Sequence, residues 1–376
     1  MSQAASIQDV RAVVAEFAMP GEYLGHEPCG HGHINDTYAV RFSQGGLPVR
    51  YIIQRINHHV FTRPNLVMEN IRRVTEHIAD KVHAAGEHEP DRRVLRLIRC
   101  ADGRLWHQDP AGNHWRGYVF IERAVAHDKA DSPEVAREAA RAFGKFQQQL
   151  ADLPGGRLAD TIPDFHHTRK RYNRLMEAVA ADTCGRVAGA AKALDFCRQR
   201  EWMADVFVDL CASGRLPERV THNDTKINNV MIDGDSGEGL CIMDLDTVMP
   251  GLIHFDFGDL VRTTCNAAAE DERDLSQVEM RMSYFDALID GYLQGTGGFL
   301  TPTELDYLAL SGPQITYELA LRFLTDYLDG DRYFKIDRDK RPHHNLERFF
   351  AQAALVESME RQMDDMKASV DRAAKR

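Results

Sequence analysis

The first third of the chain reads as short strands separated by turns. Residues 36–42 alternate polar and apolar positions and are rich in Thr, Tyr and Val, which predicts a strand. Gln44-Gly45-Gly46 predicts a turn, and residues 49–53 predict the returning strand. A helix is expected next, because apolar residues recur at helical spacing from about residue 65 to 83. Three short strands should complete this part of the chain, at residues 94–98, 105–107 and 115–121.

From Ser132 onward the pattern becomes mainly helical. Ser132-Pro133 is typical of a helix start, since the serine side chain can cap the helix and proline suits its first position. One exception is a predicted hairpin between residues 229 and 246, where two apolar strands flank polar turn residues. The order predicts an α+β, bilobal protein-kinase-like fold. Its small β-rich N-lobe should bind nucleotide at residues 1–122, and its large, mainly helical C-lobe should occupy residues 123–376.

Composition narrows the class of protein. The 376 residues carry a formal net charge of −11, which disfavours nucleic acid or an anionic membrane as the main partner. The sequence contains no run of about 18 apolar residues, so we expect no membrane span. The first residues lack the pattern of a secretory signal, and we therefore expect a cytoplasmic protein. The seven cysteines include no C-x-x-C pair, so we expect them to be reduced thiols. The histidine pair His166-His167 lacks the spacing of metal ligands, so we expect both histidines to be surface or loop residues.

The most informative segment is residues 221–229, which fits the kinase catalytic-loop pattern H-x-D-x-x-x-x-N. Phosphoryl transfer needs a group that orients the acceptor hydroxyl and takes its proton, and Asp224 can do both. Asn229 returns on the same loop and can bind Mg²⁺ through its amide oxygen. Lys226 can offset charge on the γ-phosphate as it transfers. We therefore expect ATP and Mg²⁺ as cofactors.

A second pair of carboxylates ends the predicted hairpin. Asp244 follows an apolar strand, and a hairpin of this length can bring it back beside the catalytic loop. Because Mg²⁺ prefers carboxylate and phosphate oxygens, Asp244 is the predicted metal ligand and Asp246 a possible second one. Asp256-Phe257-Gly258 spells the protein-kinase metal motif, but it lies too far from Asp224. We expect Asp256 either to cap a helix that starts near Gly258 or to brace the catalytic loop.

The nucleotide side is less clearly marked. Gly30 and Gly32 supply two of the three glycines of a phosphate-covering loop, although an ordinary hairpin turn would look the same. Gln54 stands where a kinase has its strand lysine, with Arg55 next to it, and either side chain is a candidate phosphate contact. Glu69 is the candidate partner from the first helix, or else a solvated helix glutamate. Backbone groups around Ile121 should hydrogen-bond adenine.

The sequence resembles the N-acetylhexosamine 1-kinases, within the aminoglycoside phosphotransferase-like branch of the kinase fold. The resemblance covers about residues 10–365, and its matching stretches are residues 32–38, 221–229, 244–251, 255–259 and 322–334. It implies transfer of the ATP γ-phosphate to the 1-hydroxyl of GlcNAc or GalNAc with Mg²⁺. It also implies a small sugar and ATP as partners, and we expect a monomer that binds neither nucleic acid nor membrane.

Roles carried over from the resemblance make Asp224 the base and Asp244 the metal ligand. Besides Asp224, four side chains are implied to contact the sugar: His33, Arg262, Arg322 and Tyr333. His33 could instead only shape its loop, and Arg322 and Tyr333 could be helix-surface residues.

Acceptor preference stays open because Thr263 stands where the family carries an aromatic residue. The alternatives are an aminoglycoside, another sugar or a small amino alcohol. A cationic acceptor would require a strongly acidic pocket. His33 and Arg322 argue against such a pocket, because neither side chain is acidic. A non-enzymatic nucleotide-binding role is disfavoured, since the predicted base and metal ligands are all present.

Overall fold

A six-stranded antiparallel sheet forms the first lobe in the computed structural model, which describes residues 7–30 and 34–376. The strand order is β1-β2-β3-β6-β4, and β5 pairs with β6. In chain order the elements of this lobe are α1 (Ile7–Val14), β1 (Glu22–Pro28), β2 (Asp36–Gln44), β3 (Leu47–Ile56), α2 (Pro64–Ala84), β4 (Leu97–Ile98), β5 (His107–Gln108) and β6 (His114–Val119).

The hairpin of β2 and β3 is the part of this sheet that the sequence predicts best. Gly45 and Gly46 both adopt positive φ, at 57° and 85°, as a two-residue turn between right-twisted strands requires. Val40 and Ile53 are fully buried beneath it. The sequence pattern did not predict β1, because its positions do not alternate cleanly between buried and exposed, and Leu24 is 57 % exposed. A bulge near Gly25 also breaks its register.

The second lobe is mainly helical, so the predicted bilobal α+β arrangement is confirmed. Two small sheets, one of three strands and one of two strands, lie within it. Among the described residues, no helix combines the length and apolar composition that a membrane crossing needs. The elements are β7 (Ala124–Ala126), α3 (Pro133–Leu150), α4 (Thr168–Ala181), α5 (Ala191–Gln199), α6 (Val206–Ala212), β8 (Arg219–Thr221), β9 (Val230–Asp233), β10 (Gly239–Ile242), β11 (Met249–Gly251), α7 (Ile253–Thr264), α8 (Met282–Thr296), α9 (Pro302–Leu328), α10 (His344–Arg361) and α11 (Met363–Ala373).

The predicted start of α3 and the predicted hairpin are both confirmed. The side chain of Ser132 accepts a hydrogen bond from the backbone N–H of Val135, and Pro133 opens the helix. β9 and β10 pair antiparallel between the catalytic loop and Asp244. The strand β7, just after residue 122, pairs with β9 and so belongs to the sheet of the second lobe.

Helices α3 and α8 approach each other closely because glycines lie at their interface. A Cβ atom added to Gly144 would lie 2.4 Å from the carbonyl oxygen of Tyr292. A Cβ added to Gly291 would lie 2.1 Å from the carbonyl oxygen of Arg137, and one added to Gly295 would lie 2.2 Å from that of Arg141. Backbone atoms on both sides of these contacts cannot move aside cheaply, so the interface requires residues without a side chain.

We expect Gly291→Ala to lower the free energy of unfolding by about 1–3 kcal/mol, the usual penalty for overpacking a close interface. Urea denaturation measures this value. Gly189→Ala is the matched control, because a Cβ at Gly189 meets nothing within 4 Å. Equal stability of the two variants would contradict the close approach of α3 and α8.

Candidate active site

The catalytic loop is anchored from below by one buried carboxylate. Asp256, fully buried in α7, accepts the backbone N–H of His222 at 2.9 Å and that of Asn223 at 2.7 Å. The predicted bracing role of Asp256 is therefore confirmed. The alternative prediction, a cap for a helix starting near Gly258, is wrong because α7 begins at Ile253 and Asp256 lies inside it.

A chain of buried polar groups extends this anchor into the lobe. The Gln147 amide donates to Asp256 at 2.5 Å, and the Tyr292 hydroxyl donates to the Gln147 side-chain oxygen. The hydroxyl of Thr225, in the catalytic loop, donates to the backbone carbonyl of Asp256 at 2.5 Å. Burial raises the pKa of Asp256, while His222 and the surrounding donors oppose this rise. The loop is thereby fixed to α3, α7 and α8 together.

Asp224, Lys226 and Asn229 lie together, as the motif spacing predicts. The Lys226 ammonium lies 2.9 Å from the Asp224 carboxylate. The Asn229 amide donates to the Asp224 backbone carbonyl at 2.8 Å, which leaves its amide oxygen as the atom that can face a cation. Burial opposes ionisation of Asp224, but Lys226 outweighs it and the net pKa lies below its usual value. An ionised carboxylate, 29 % exposed, is thus available to accept a proton.

His222 connects this loop to the strand that carries Asp244. Its Nδ1 accepts the N–H of Asp224 at 3.2 Å, and its Nε2 donates to the carbonyl of Met243 at 2.8 Å. A backbone N–H only donates and a carbonyl only accepts, so these two contacts require the neutral imidazole protonated at Nε2. The side chain holds the predicted base and the predicted metal ligand at a fixed separation.

Asp244 has the properties of a carboxylate that needs a cation. It adopts positive φ, at 53°, and its side chain opens to solvent in the cleft while protein atoms crowd around it. This desolvation, together with the charges of Asp246 and Asp224, raises the pKa of Asp244 to about 6. No hydrogen-bond donor among the described residues satisfies it. Mg²⁺ would relieve the repulsion and fits an oxygen donor set of Asp244 and Asn229.

The remaining Mg²⁺ ligands would be phosphate and water oxygens. The described part of the chain holds no cluster of three or more His, Cys, Asp or Glu side chains that could bind a metal ion. Mg²⁺ commonly uses one or two protein carboxylates and completes its shell with substrate phosphates. The residues present therefore fit a metal that arrives with a nucleotide.

Asp246 turns away from this open position. It is 2 % exposed and forms an ion pair with Arg116 of β6 through one carboxylate oxygen. The other oxygen accepts from the Asn35 amide at 2.7 Å. Both oxygens are thus engaged by the N-lobe, and Asp244 is the carboxylate left open to a cation. Nothing in the local sequence spacing points to Arg116, which is absent from the predicted site.

The predicted nucleotide residues are only partly assembled. Gly30 has a positive φ of 82°, whereas Gly32 and His33 lie outside the described residues. Ile121 is buried just beyond the end of β6, at the junction of the lobes. Its backbone contact with adenine stays a prediction.

Glu69 and Gln54 have partners other than those expected. The Glu69 carboxylate pairs with Arg72 of its own helix at 2.6 Å and is 48 % exposed, which matches the solvated-glutamate alternative. The Gln54 side chain contacts Arg116 instead of standing open to the cleft.

Arg262, one of the implied sugar contacts, lies close enough to Asp224 to interact with its charge. It is 8 % exposed and pairs with Asp259 at 2.8 Å and with Glu270 at 3.0 Å. Its positive charge contributes to the low pKa of Asp224. Thr263 donates its hydroxyl to the carbonyl of Asp259 at 2.7 Å, within its own helix. Arg262 is therefore a buried charge next to the catalytic loop, with its guanidinium already committed to carboxylates.

Arg322, on α9, lies among aromatic rings. Its guanidinium carbon is 5.8 Å from the Phe165 ring centre, 5.7 Å from that of Tyr333 and 5.5 Å from that of Phe334. Tyr333 is 68 % exposed at the rim. The structure thus brings Arg322 and Tyr333 together, as the resemblance implied. Their role in sugar binding stays a prediction.

His166 links this aromatic cluster to the catalytic loop. Its ring contacts Glu318 of α9 at 2.9 Å and the backbone carbonyl of Asn223 at 3.2 Å. The loop alternative of the sequence prediction is confirmed, because His166 lies in the turn before α4, but its side chain is only 9 % exposed and so is not a surface group. Glu318 and Arg322 are four residues apart and share a face of α9. Arg322 therefore lies one helical turn from a residue tied to the loop of the base.

A second arginine lies close to Arg322. Burial and the charge of Arg322 lower the pKa of Arg171, and Glu318 opposes this effect. The Nε atom of Arg171 is buried without a hydrogen-bond partner in the described structure. Neither arginine forms a salt bridge with a described carboxylate. This part of the cleft is therefore positive, and no sequence pattern pointed to Arg171.

The two lobes, the anchored H-x-D loop and the facing Asp244 define a kinase-fold phosphotransferase. The model of the phosphotransferase enzyme family matches residues 25–303, and the chain belongs to that family.

Solved structures share the fold at low sequence identity. An aminoglycoside phosphotransferase from Alicyclobacillus acidocaldarius matches at 14 % identity and TM-score 0.60, covering 99 % of this chain and 98 % of that one. A spectinomycin phosphotransferase in complex with ADP and spectinomycin matches at 11 % identity and TM-score 0.57, covering 94 % and 100 %. A choline/ethanolamine kinase family protein from Mesorhizobium loti matches at 18 % identity and TM-score 0.52, covering 96 % and 98 %.

We expect Asp256→Asn to destabilise the fold by about 1–3 kcal/mol, because an amide nitrogen would face backbone N–H donors and leave one unsatisfied. Turnover should fall as well, since the loop loses its anchor. Thermal unfolding and steady-state kinetics measure the two effects. Asp102→Asn removes an exposed carboxylate (52 % exposed) and serves as the control. Wild-type stability in Asp256→Asn would show that the carboxylate does not anchor the loop.

Proposed function

We propose that this chain is an ATP- and Mg²⁺-dependent kinase that phosphorylates the 1-hydroxyl of N-acetylhexosamines, GlcNAc and GalNAc. One observation carries the phosphoryl-transfer part: an ionised Asp224 beside Lys226, facing the open carboxylate of Asp244 across His222. The choice of acceptor rests on the sequence resemblance and on the positive charge around Arg322.

Each residue has one task in this proposal. Asp224 accepts the proton of the sugar 1-hydroxyl as that oxygen attacks the γ-phosphorus. Lys226, already beside Asp224, offsets negative charge on the transferred phosphoryl group. Asp244 and Asn229 would hold the Mg²⁺ ion, which neutralises phosphate charge when bound. His222 keeps the proton-accepting and metal-binding positions in register.

Positive charge on the acceptor side supports a neutral sugar. Arg322 and Arg171 lie near each other and repel cations, whereas aminoglycosides and amino alcohols are cationic at neutral pH. Arginine side chains and aromatic faces suit the hydroxyl, acetamido and ring surfaces of an N-acetyl sugar. Arg322 provides both features, because three rings surround its guanidinium.

The alternative is a kinase-fold phosphotransferase for another small hydroxyl acceptor: another sugar, an aminoglycoside or an amino alcohol. Family membership favours it, and the similar structures include proteins described as spectinomycin phosphotransferase and choline/ethanolamine kinase. The cytoplasmic location and the monomeric state stay predictions.

An acceptor panel tests the proposal. ADP release is measured with Mg²⁺-ATP and GlcNAc, GalNAc, glucosamine, galactose, kanamycin, choline or ethanolamine. We expect turnover of the two N-acetyl sugars and a product phosphorylated at C1, identified by ³¹P–¹H correlation. Asp224→Asn should lower turnover by about 10²- to 10⁴-fold, the typical contribution of a general base, with nucleotide binding retained.

The outcomes separate the two levels of the proposal. If neither N-acetyl sugar is phosphorylated but another acceptor is, the assignment of the acceptor is wrong and the assignment as a phosphotransferase stands. Full activity of Asp224→Asn would instead remove the proposed base.

We expect Arg322→Gln to raise the KM for the acceptor by roughly 10- to 100-fold, as the loss of a hydrogen bond to a charged group predicts, with the KM for ATP unchanged. Arg174→Gln is the matched control, since Arg174 pairs with Asp329 and is 49 % exposed. Initial rates at varied acceptor and varied ATP give both constants. An unchanged acceptor KM in Arg322→Gln would place the sugar elsewhere in the cleft.

A further inference from the structure

The strand β3 lacks the lysine on which kinases rely. In protein kinases a lysine of the third strand pairs with the nucleotide phosphates. Here the corresponding position is Gln54, and the residue directly opposite it in the sheet is Arg116 of β6. A cation is thus present at the same place in the sheet, but on the neighbouring strand.

The Arg116 side chain is held in one orientation. The Gln54 side-chain oxygen accepts from Nε at 2.9 Å and from Nη2 at 2.5 Å. Gln54 is itself oriented, because its amide donates to the Thr37 hydroxyl at 2.9 Å. The remaining guanidinium nitrogen, Nη1, reaches Asp246 of the other lobe. Side chains from three strands therefore aim one positive charge across the cleft.

Arg116 and Asp246 depend on each other. They are 1 % and 2 % exposed, and a buried charge without its partner is strongly unfavourable. Asn35 holds the second oxygen of Asp246 at 2.7 Å, and Asn57 fixes Asn35 through a backbone N–H at 2.9 Å. The position of Asp246 is thus set by the N-lobe, although its own segment belongs to the C-lobe.

Asp246 lies two residues beyond Asp244, the carboxylate open to the cleft. Arg116 also interacts electrostatically with Asp244, so its charge acts on both carboxylates. A rigid short turn between them transmits the position of one to the other, since residues 245–247 form a single helical turn.

We propose that Arg116 takes the place of the missing strand lysine: oriented by Gln54, it positions Asp246 and thereby holds Asp244 for the Mg²⁺-bound nucleotide. This inference rests on the proposed function. Arg116 is a positioning residue, because its guanidinium is buried against Asp246. Gln54 contributes the orientation of the cation instead of a direct phosphate contact.

Calorimetry with ADP, with and without Mg²⁺, tests the inference without any acceptor. We expect Arg116→Gln to weaken Mg²⁺-dependent ADP binding by about 10- to 100-fold, the usual effect of removing a partner of a metal ligand. Binding of ADP without Mg²⁺ should change far less. Arg104→Gln is the control, since Arg104 also lies in the N-lobe and pairs with an aspartate, Asp102, but is 54 % exposed.

Exchange of the two positions provides a rescue. The double variant Gln54→Lys with Arg116→Gln returns a lysine to β3 and a neutral side chain to β6. We expect it to regain most of the Mg²⁺-dependent affinity that Arg116→Gln loses. If Arg116 had a purely structural role, Arg116→Gln would instead weaken ADP binding equally with and without Mg²⁺. The lysine of the double variant would then restore neither the Mg²⁺-dependent nor the Mg²⁺-independent affinity.

Three results would overturn the proposal: Mg²⁺-ADP affinity unchanged in Arg116→Gln, a loss no larger than in Arg104→Gln, or a folded double variant without recovery. Should Arg116→Gln not fold, Gln54→Leu keeps the arginine and its ion pair but removes the orienting oxygen. Unchanged Mg²⁺-ADP affinity in that variant would overturn the proposal as well. A wild-type protein without Mg²⁺-dependent ADP binding would instead remove the proposed function itself.

Discussion

Two backbone N–H groups of the catalytic loop point into the protein interior, where the carboxylate of Asp256 accepts both. Buried N–H groups need acceptors, so the shape of the loop depends on this carboxylate. Asp256 lies in α7 and is held by Gln147 of α3, which is held in turn by Tyr292 of α8. The close glycine-mediated packing of α3 on α8 therefore bears directly on where Asp224 stands.

The distribution of charge around the cleft distinguishes the carboxylate of Asp244 from the other three. Three acids there each have a cationic partner: Asp224 with Lys226, Asp246 with Arg116 and Asp259 with Arg262. Asp244 forms no salt bridge with a described residue, two of these acids repel it, and the more distant charge of Arg116 offsets this repulsion only in part. A protein that folds with this charge only partly compensated is suited to bind a cation together with a phosphate-bearing ligand.

Local spacing predicted the parts of the site that are local in the chain. The loop from His222 to Asn229 and the hairpin to Asp244 follow each other directly, so motif and periodicity located them. The contact of His166 with Glu318 has no local sequence signal, because the two residues are 152 positions apart. Arg116 and Asp246 are 130 residues apart, and only strand pairing and lobe closure bring them together. No single-sequence pattern encodes such contacts.

The same division separates the chemistry of the site from its acceptor preference. The proposed phosphoryl-transfer groups come from one continuous segment of the chain, which Asp256 anchors. The proposed acceptor side combines the start of α4, the C-terminal part of α9 and the loop beyond it, in Arg171, Arg322 and Tyr333. Likeness in the catalytic segment therefore says little about the acceptor. Arg171 and Arg322, neither of which forms a salt bridge with a described carboxylate, bear on the proposed acceptor more directly, because a cation bound at the proposed site would lie beside them.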